Sequence, residues 1–291
     1  LLGMLAWHAE VGWVKGGFAR MTIFFVLSGY LAARSFLALR RRAHRRGAHR
    51  PAAAAMRDFW VRRARRLLPI TLLGLVVATV VTLVSGSADM VRDLPGDLVS
   101  VATYVSNWRF LAVDRAYGAL FERPSAFQHY WSLSLEEQCF LVLPLVVGLA
   151  VAVGGRRWAP WVTGALGAAL AAIPFLVAHS PDAAYYGTHV RGGEFLAGVT
   201  LALALDRANG TLPARFESAA RWLGAASLVG LALVMITVDR DLPWLYRGGL
   251  GLFALPAAAV VAAALLPGGL VPRLLGVGPL AALGRAARSE E

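Results

Sequence analysis

Two adjacent carboxylates stand where an apolar helix is about to begin. The run His129-Tyr130-Trp131-Ser132-Leu133-Ser134-Leu135-Glu136-Glu137-Gln138-Cys139-Phe140-Leu141-Val142-Leu143-Pro144 sets Glu136, Glu137 and the Gln138 amide directly ahead of an apolar stretch that continues to Gly154. A charge at the centre of a membrane span costs about 2.5–3.5 kcal/mol on insertion scales, and near the boundary it still needs a protein partner or water. Ser134 and Glu137 have the spacing of a capping box, so Glu137 could do no more than satisfy orphan amides at the helix start. Glu136 has no such structural excuse. A second chemically capable group is Arg62, Arg63, Arg65 and Arg66, bracketed by Phe59, Trp60, Leu67 and Leu68. At helical spacing 62, 65 and 66 share a face. Guanidinium groups grip phosphates with bidentate geometry, and plain anchoring of a span by positive charge is the competing reading. His8 closes the apolar run 1–9. An imidazole within hydrogen-bond reach of a hydroxyl can take its proton; a histidine bonded to a backbone carbonyl at a helix end is the bland alternative.

The elements that must position these groups follow from composition. The 291 residues are 58% hydrophobic and 16% charged, with mean hydropathy +0.59, far from the average soluble domain. Apolar runs of about 18 or more residues recur without strand-like alternation, which predicts an all-α, polytopic transmembrane helix bundle of about eight spans. The expected spans cover roughly residues 1–9 (the end of a first helix), 21–39, 67–84, 135–153, 161–177, 195–205, 222–238 and 244–266. Thr22, Ser28 and Gly29 in the second are read first as small residues that let helices approach closely.

Net charge is +12, and twelve arginines between Arg34 and Arg66 face one acid, Asp58. Charge gathered in loops beside apolar spans is a topology signal rather than a sign of nucleic acid, so residues 40–57 are expected to form a cytoplasmic basic loop whose first half is mobile near anionic lipid heads. The outer stretch 85–130 is long enough to be functional and is expected to hold a short helix near 98–108. The lone Cys139 rules out a disulfide or a cysteine-based metal site. No HExxH, CxxC, GxSxG or phosphate-loop motif is present, so no metal is expected. The chain reads as one transmembrane domain over 1–291, a fragment incomplete at both ends.

The ordered set of motifs resembles a known family. His8, Gly16-Gly17, the run Phe24-Phe25-Val26-Leu27-Ser28-Gly29-Tyr30, the run from Phe59 to Pro69 with its four arginines, Asn107-Trp108 and the run from His129 to Gln138 together are similar to the bacterial membrane acyltransferase-3 family. Arg191 ahead of Glu194-Phe195-Leu196-Ala197-Gly198 looks like that family's later stretch. The resemblance implies a multi-pass protein of the bacterial inner (plasma) membrane that O-acylates a cell-surface glycan or a small molecule. It implies His8 as the catalytic histidine and places the four arginines in an Arg-x-x-Arg region with two overlapping registers, 62 with 65 and 63 with 66. Trp131, Ser132, Leu133, Glu136 and Gln138 fit its Trp-Ser-Leu-x-x-Glu-x-Gln motif. Ser28, Asn107 and Arg191 enter as supporting residues. The chain departs from the pattern at Cys139-Phe140, where Phe-Tyr is usual, and lacks a basic residue upstream of His8 and the closing helices.

The mechanism expected is transfer of an acyl group, acetyl above all, from acyl-CoA as donor substrate to an extracytoplasmic hydroxyl, with no permanently bound cofactor. His8 would be the general base, oriented by Glu10 or Glu136, and Arg62, Arg63, Arg65 and Arg66 would hold the donor's phosphates. Partners are acyl-CoA, a glycan or small-molecule acceptor and the bilayer, with no nucleic acid. The alternative is a transporter or flippase-like protein for a lipid-linked sugar or organic anion, in which intramembrane His and Glu relay protons.

Overall fold

A computed structural model describes residues 19–113, 125–177, 180–239 and 242–278. His8, Glu10 and Gly16-Gly17 lie outside the described residues. The described chain is a helix bundle without strands. Its elements are α1 (Ala19–Arg45), α2 (Pro51–Ser85), α3 (Ala88–Ala102), α4 (Ser106–Ala112), α5 (Tyr130–Leu176), α6 (Pro181–Tyr186), α7 (Thr188–Arg207), α8 (Ala214–Thr237), a π-helical turn Leu245–Gly249, α9 (Leu250–Leu252), α10 (Ala254–Ala264) and α11 (Leu270–Leu275).

The centre is α7, which packs chiefly against α5 and α1. Its crossing with α1 needs two glycines. A Cβ on Gly29 would overlap the Phe195 carbonyl, and one on Gly198 would overlap the Val26 carbonyl and the Tyr30 amide. Each helix thus offers its missing side chain to the other's backbone, the close approach expected of small residues inside a bilayer. Below this crossing Phe36, Phe59, Phe140 and Phe195 share one buried cluster, and above it Phe25, Phe110, Trp131, Tyr185 and Tyr186 share another.

Five helices among the described residues are long and apolar enough to cross a membrane: Met21–Arg45, Pro51–Ser85, Tyr130–Leu176, Ala214–Thr237 and Leu245–Ala264. The expected eight is therefore an overcount. Residues 1–9 lie outside the description, and α7, with Arg191 and Glu194 inside it, is not among the five. The expected spans 135–153 and 161–177 are both present, as two helices within α5 that meet at a sharp kink at Gly155, whose non-helical backbone (φ 59°, ψ −178°) suits glycine. The chain reverses there, beside Arg156 and Arg157: Phe140 packs on Phe195 and Arg156 reaches Asp206, whereas on the return Thr163 meets Thr200 and Gly167 lies against Leu196.

The basic loop is also shorter than expected. α1 carries its helix through Arg45 and α2 restarts at Pro51 in its first turn, so the arginines on either side ride on helices. At 35 residues α2 is about 50 Å long at 1.5 Å per residue. Leu72, Leu73, Val76, Val77, Val80, Val81, Leu83 and Val84 on its far half are exposed, as a lipid-facing helix requires. The expected short helix near 98–108 is instead two, α3 and α4, joined at Tyr104 in a left-handed conformation (φ 54°). The Tyr104 hydroxyl lies 3.3 Å from the Thr71 hydroxyl on α2, so the α3–α4 hairpin folds down against the bundle.

Candidate active site

The acidic pair of α5 meets the arginines of α2 directly. Arg63 donates from Nε to both Glu137 oxygens at 3.0 Å and from Nη2 to Oε1, a bidentate clamp, while its guanidinium lies over the Phe140 ring. Glu137 is therefore an ion-pair residue two turns inside α5. The capping reading fails because the helix starts at Tyr130 and the Ser134 hydroxyl accepts from the Ser106 backbone amide instead.

Glu136 points another way. Only 7% exposed, it is reached by the Ser28 hydroxyl of α1, with Arg63 and Arg66 as the nearest cations. Arg63 is half-buried against α5, and Arg66, one turn on and exposed like Arg62 and Arg65, is still close enough to act on the Glu136 charge. Of the two overlapping registers, the 63–66 pair faces the carboxylates. Ser28, Arg63, Arg66, Glu136 and Glu137 thus gather where α1, α2 and α5 meet.

One residue further on, Gln138 ties three elements together. Its Nε2 donates to the Tyr104 carbonyl at 2.8 Å and to Asn107 Oδ1 at 2.9 Å. Its Oε1 accepts from Trp108 Nε1 at 3.1 Å and from the Thr188 hydroxyl at 2.6 Å. The indole nitrogen only donates, which fixes which end of the amide faces it. Asn107, fully buried, completes the knot by donating to the Tyr186 carbonyl and the Thr188 hydroxyl, both at 3.0 Å. Every donor and acceptor of Gln138 is used, so it braces the α4 and α7 starts against α5. Trp131 is also architectural, wedged against Tyr185 and Tyr186 with ring centroids 4.9 and 5.1 Å away. Ser132 donates only to the His129 carbonyl, at 3.4 Å.

Arg191 is wholly buried on α7, with Nη1 donating to Glu194 Oε1 at 2.6 Å and its guanidinium near the Phe25 and Tyr185 rings. Among the described residues its Nε and Nη2 have no hydrogen-bond partner, and the Thr22 hydroxyl is turned toward Glu194. Sequence reasoning named Arg191 but passed over Glu194, although acid and base three apart in an apolar helix was the signal for a buried pair. Thr188 and Tyr104 were missed as well, because only the fold brings them to Gln138. Among the described residues no group of His, Cys, Asp and Glu could hold a metal ion.

This arrangement of charge inside a helical bundle has relatives. A family described as an acyltransferase domain, acyltransferase-3, matches residues 3–287. The chain belongs to the acyltransferase-3 family. Its similarity to curated proteins of that kind is consistent along its length. It is 32% identical over 296 residues to the putative peptidoglycan O-acetyltransferase YrhL of Bacillus subtilis, with 98% of this chain and 44% of the relative covered. It is 30% identical over 290 residues to the peptidoglycan O-acetyltransferase OatA of Listeria monocytogenes, covering 98% and 45%. A putative O-acetyltransferase of Staphylococcus aureus is 26% identical over 275 residues, covering 92% and 44%. The chain thus spans a little under half the length of these relatives. No solved structure matches it. Membership of this family, together with five apolar helices long enough to span, makes it a multi-pass membrane protein.

Proposed function

We propose that this chain is the membrane-embedded part of a plasma-membrane O-acyltransferase that moves an acetyl group from acyl-CoA to a hydroxyl of a cell-wall glycan, peptidoglycan being the acceptor its relatives' names point to. The observation that carries the reading is the meeting of Glu136 and Glu137 with Arg63, Arg66 and Ser28 at the junction of α1, α2 and α5. A structural ion pair accounts for Arg63 with Glu137; it does not account for the buried Glu136 beside it.

In the proposed reaction the acceptor oxygen attacks the thioester carbonyl, its proton passes to the His8 imidazole, the carbon–sulfur bond breaks, and the departing thiolate takes a proton back. Glu136 acts as the positioning partner of His8, and Arg66 with Arg63 neutralises negative charge on the donor. Buried surroundings strengthen each of these interactions relative to water. The transporter reading has no comparable support, because the similar proteins carry acetyltransferase names.

The test uses the full-length protein in membranes, supplied with radiolabelled acetyl-CoA and peptidoglycan fragments. Wild type should transfer label to glycan, and His8→Ala and Glu136→Gln should each lose at least about a hundredfold, the usual worth of a general base. Equal labelling by wild type and His8→Ala would refute the assigned base. Solute uptake without labelled glycan would refute transfer altogether.

A further inference from the structure

At the arginine-rich end of the bundle, about 18 Å along α1 from Ser28 to Arg40 at 1.5 Å per residue, lie two adjoining cavities that the transfer chemistry does not use. One, of about 310 Å³, is lined by Arg40, Arg41, His44, Arg45, Arg156 and Asp206 among others. The second, of about 270 Å³, adds Tyr30 and Arg34 and shares Arg41, Arg156 and Asp206 with the first. The wall between them is a three-residue bridge in which Asp206 accepts from Arg41 and, at 2.9 Å, from Arg156.

Charge in this vestibule does not balance. Asp206 is the one acid lining either cavity, and it already holds two arginines. Arg34 donates to a neutral group, the Tyr30 hydroxyl, at 2.9 Å. Arg40, half-buried, and Arg45 have no acidic partner among the described residues. Cations that serve only to orient a span need no concave surface between them; here they converge on one from α1 and α5, with Asp206 of α7 among them. A half-buried guanidinium that faces a cavity without a counter-ion keeps its desolvation cost uncompensated until an anion arrives.

We infer that this vestibule binds a phosphate ester dianion, held by Arg40 and Arg45 from one side and by the Arg41–Asp206–Arg156 bridge from the other. Guanidinium groups suit phosphate oxygens in this role because each offers two parallel donors. The first cavity is at the lower limit of sites that hold small ligands, about 300 Å³ and upward, so it takes a headgroup or a nucleotide moiety rather than a whole large cofactor. Two sources carry that chemistry: a soluble nucleotide phosphate and the headgroup of an anionic phospholipid. The site stands apart from the reaction proposed above and does not depend on which group is transferred.

The experiment places the full chain in phosphatidylcholine nanodiscs and titrates adenosine 3′,5′-bisphosphate by calorimetry. In parallel, nanodiscs doped with phosphatidylglycerol are used to measure lipid retained through purification by native mass spectrometry. Arg40→Gln and Arg45→Gln are the probes, since among the described residues neither has a protein partner whose loss would unfold the chain. Arg92→Gln, which removes the same charge from α3 where Arg92 pairs with Asp89, is the control. Binding of one source by wild type and Arg92→Gln, weakened about tenfold or more by each probe, is expected, and which source binds names the ligand. Binding of neither source, binding unaffected by the probes, or equal loss in the control would each overturn the assignment. None of these outcomes bears on glycan labelling, so the site and the acyl-transfer reading fail separately.

Discussion

Replacing Gln138 by leucine should unfold the bundle's upper half without touching the charged cluster. The side chain makes four hydrogen bonds, at 2.8, 2.9, 3.1 and 2.6 Å, to Tyr104, Asn107, Trp108 and Thr188. Their loss is unequal. Trp108 is 40% exposed and can turn its N–H outward, and Thr188 keeps its bond from Asn107. Two acceptors are left orphaned, the Tyr104 carbonyl and Asn107 Oδ1, at about 1–3 kcal/mol each. The two remaining bonds add about 1 kcal/mol together, so Gln138→Leu should cost roughly 4 kcal/mol, with Ser132→Ala as a control within about 0.5 kcal/mol. Reversible unfolding in mixed micelles, followed by tryptophan fluorescence, measures both. Folded Gln138→Leu molecules, separated by size-exclusion chromatography, should retain their transfer rate, since the amide touches only protein. A loss below about 1 kcal/mol, or a folded but inactive variant, would refute the view of Gln138 as a brace.

The other expectations follow from the same geometry. Arg63→Ala should destabilise by about 3 kcal/mol because it strands Glu137 beside Glu136, Arg63→Ala with Glu137→Gln should recover part of that, and exposed Arg65→Ala should change stability by under about 0.5 kcal/mol; the same unfolding assay ranks them. Arg191→Met should cost about 3–5 kcal/mol by leaving the Glu194 carboxylate alone in the interior, while Arg191→Met with Glu194→Leu should be near wild type, a non-additivity that a double-mutant cycle reads directly. Gly198→Val should abolish the α1–α7 crossing and with it detergent-stable protein, because even the first carbon overlaps the Val26 carbonyl; monodisperse, heat-stable Gly198→Val protein would contradict that contact.

Much of this protein was readable before any fold. Glu136 stood out because charge at the start of an apolar run must have a reason, Arg62, Arg63, Arg65 and Arg66 stood out as a cluster, Arg191 came with the family resemblance, and Gly29 was read as a small residue at a close crossing. The span count was less legible. Residues 195–205 read as a span of their own, whereas their helix starts at Thr188 and carries Arg191 and Glu194, so it is not among the five apolar enough to cross. Glu137 misled for a related reason: capping depends on where the helix starts, and helix starts are the least certain feature of a sequence.

Composition and pattern alone determined that this is an arginine-rich, helical membrane protein with acids and bases at costly depths, since those costs are local and attach to residue types. Only the tertiary structure decided which charges meet: that Arg63 takes Glu137 while Arg66 and Ser28 attend Glu136, that Gln138 is fully used by its neighbours, and that Arg40 lines a cavity whose acid, Asp206, already holds two arginines. Pairings of this kind depend on how helices distant in the chain are rotated and raised against one another. Spacing along a single helix carries no record of its neighbour's rotation.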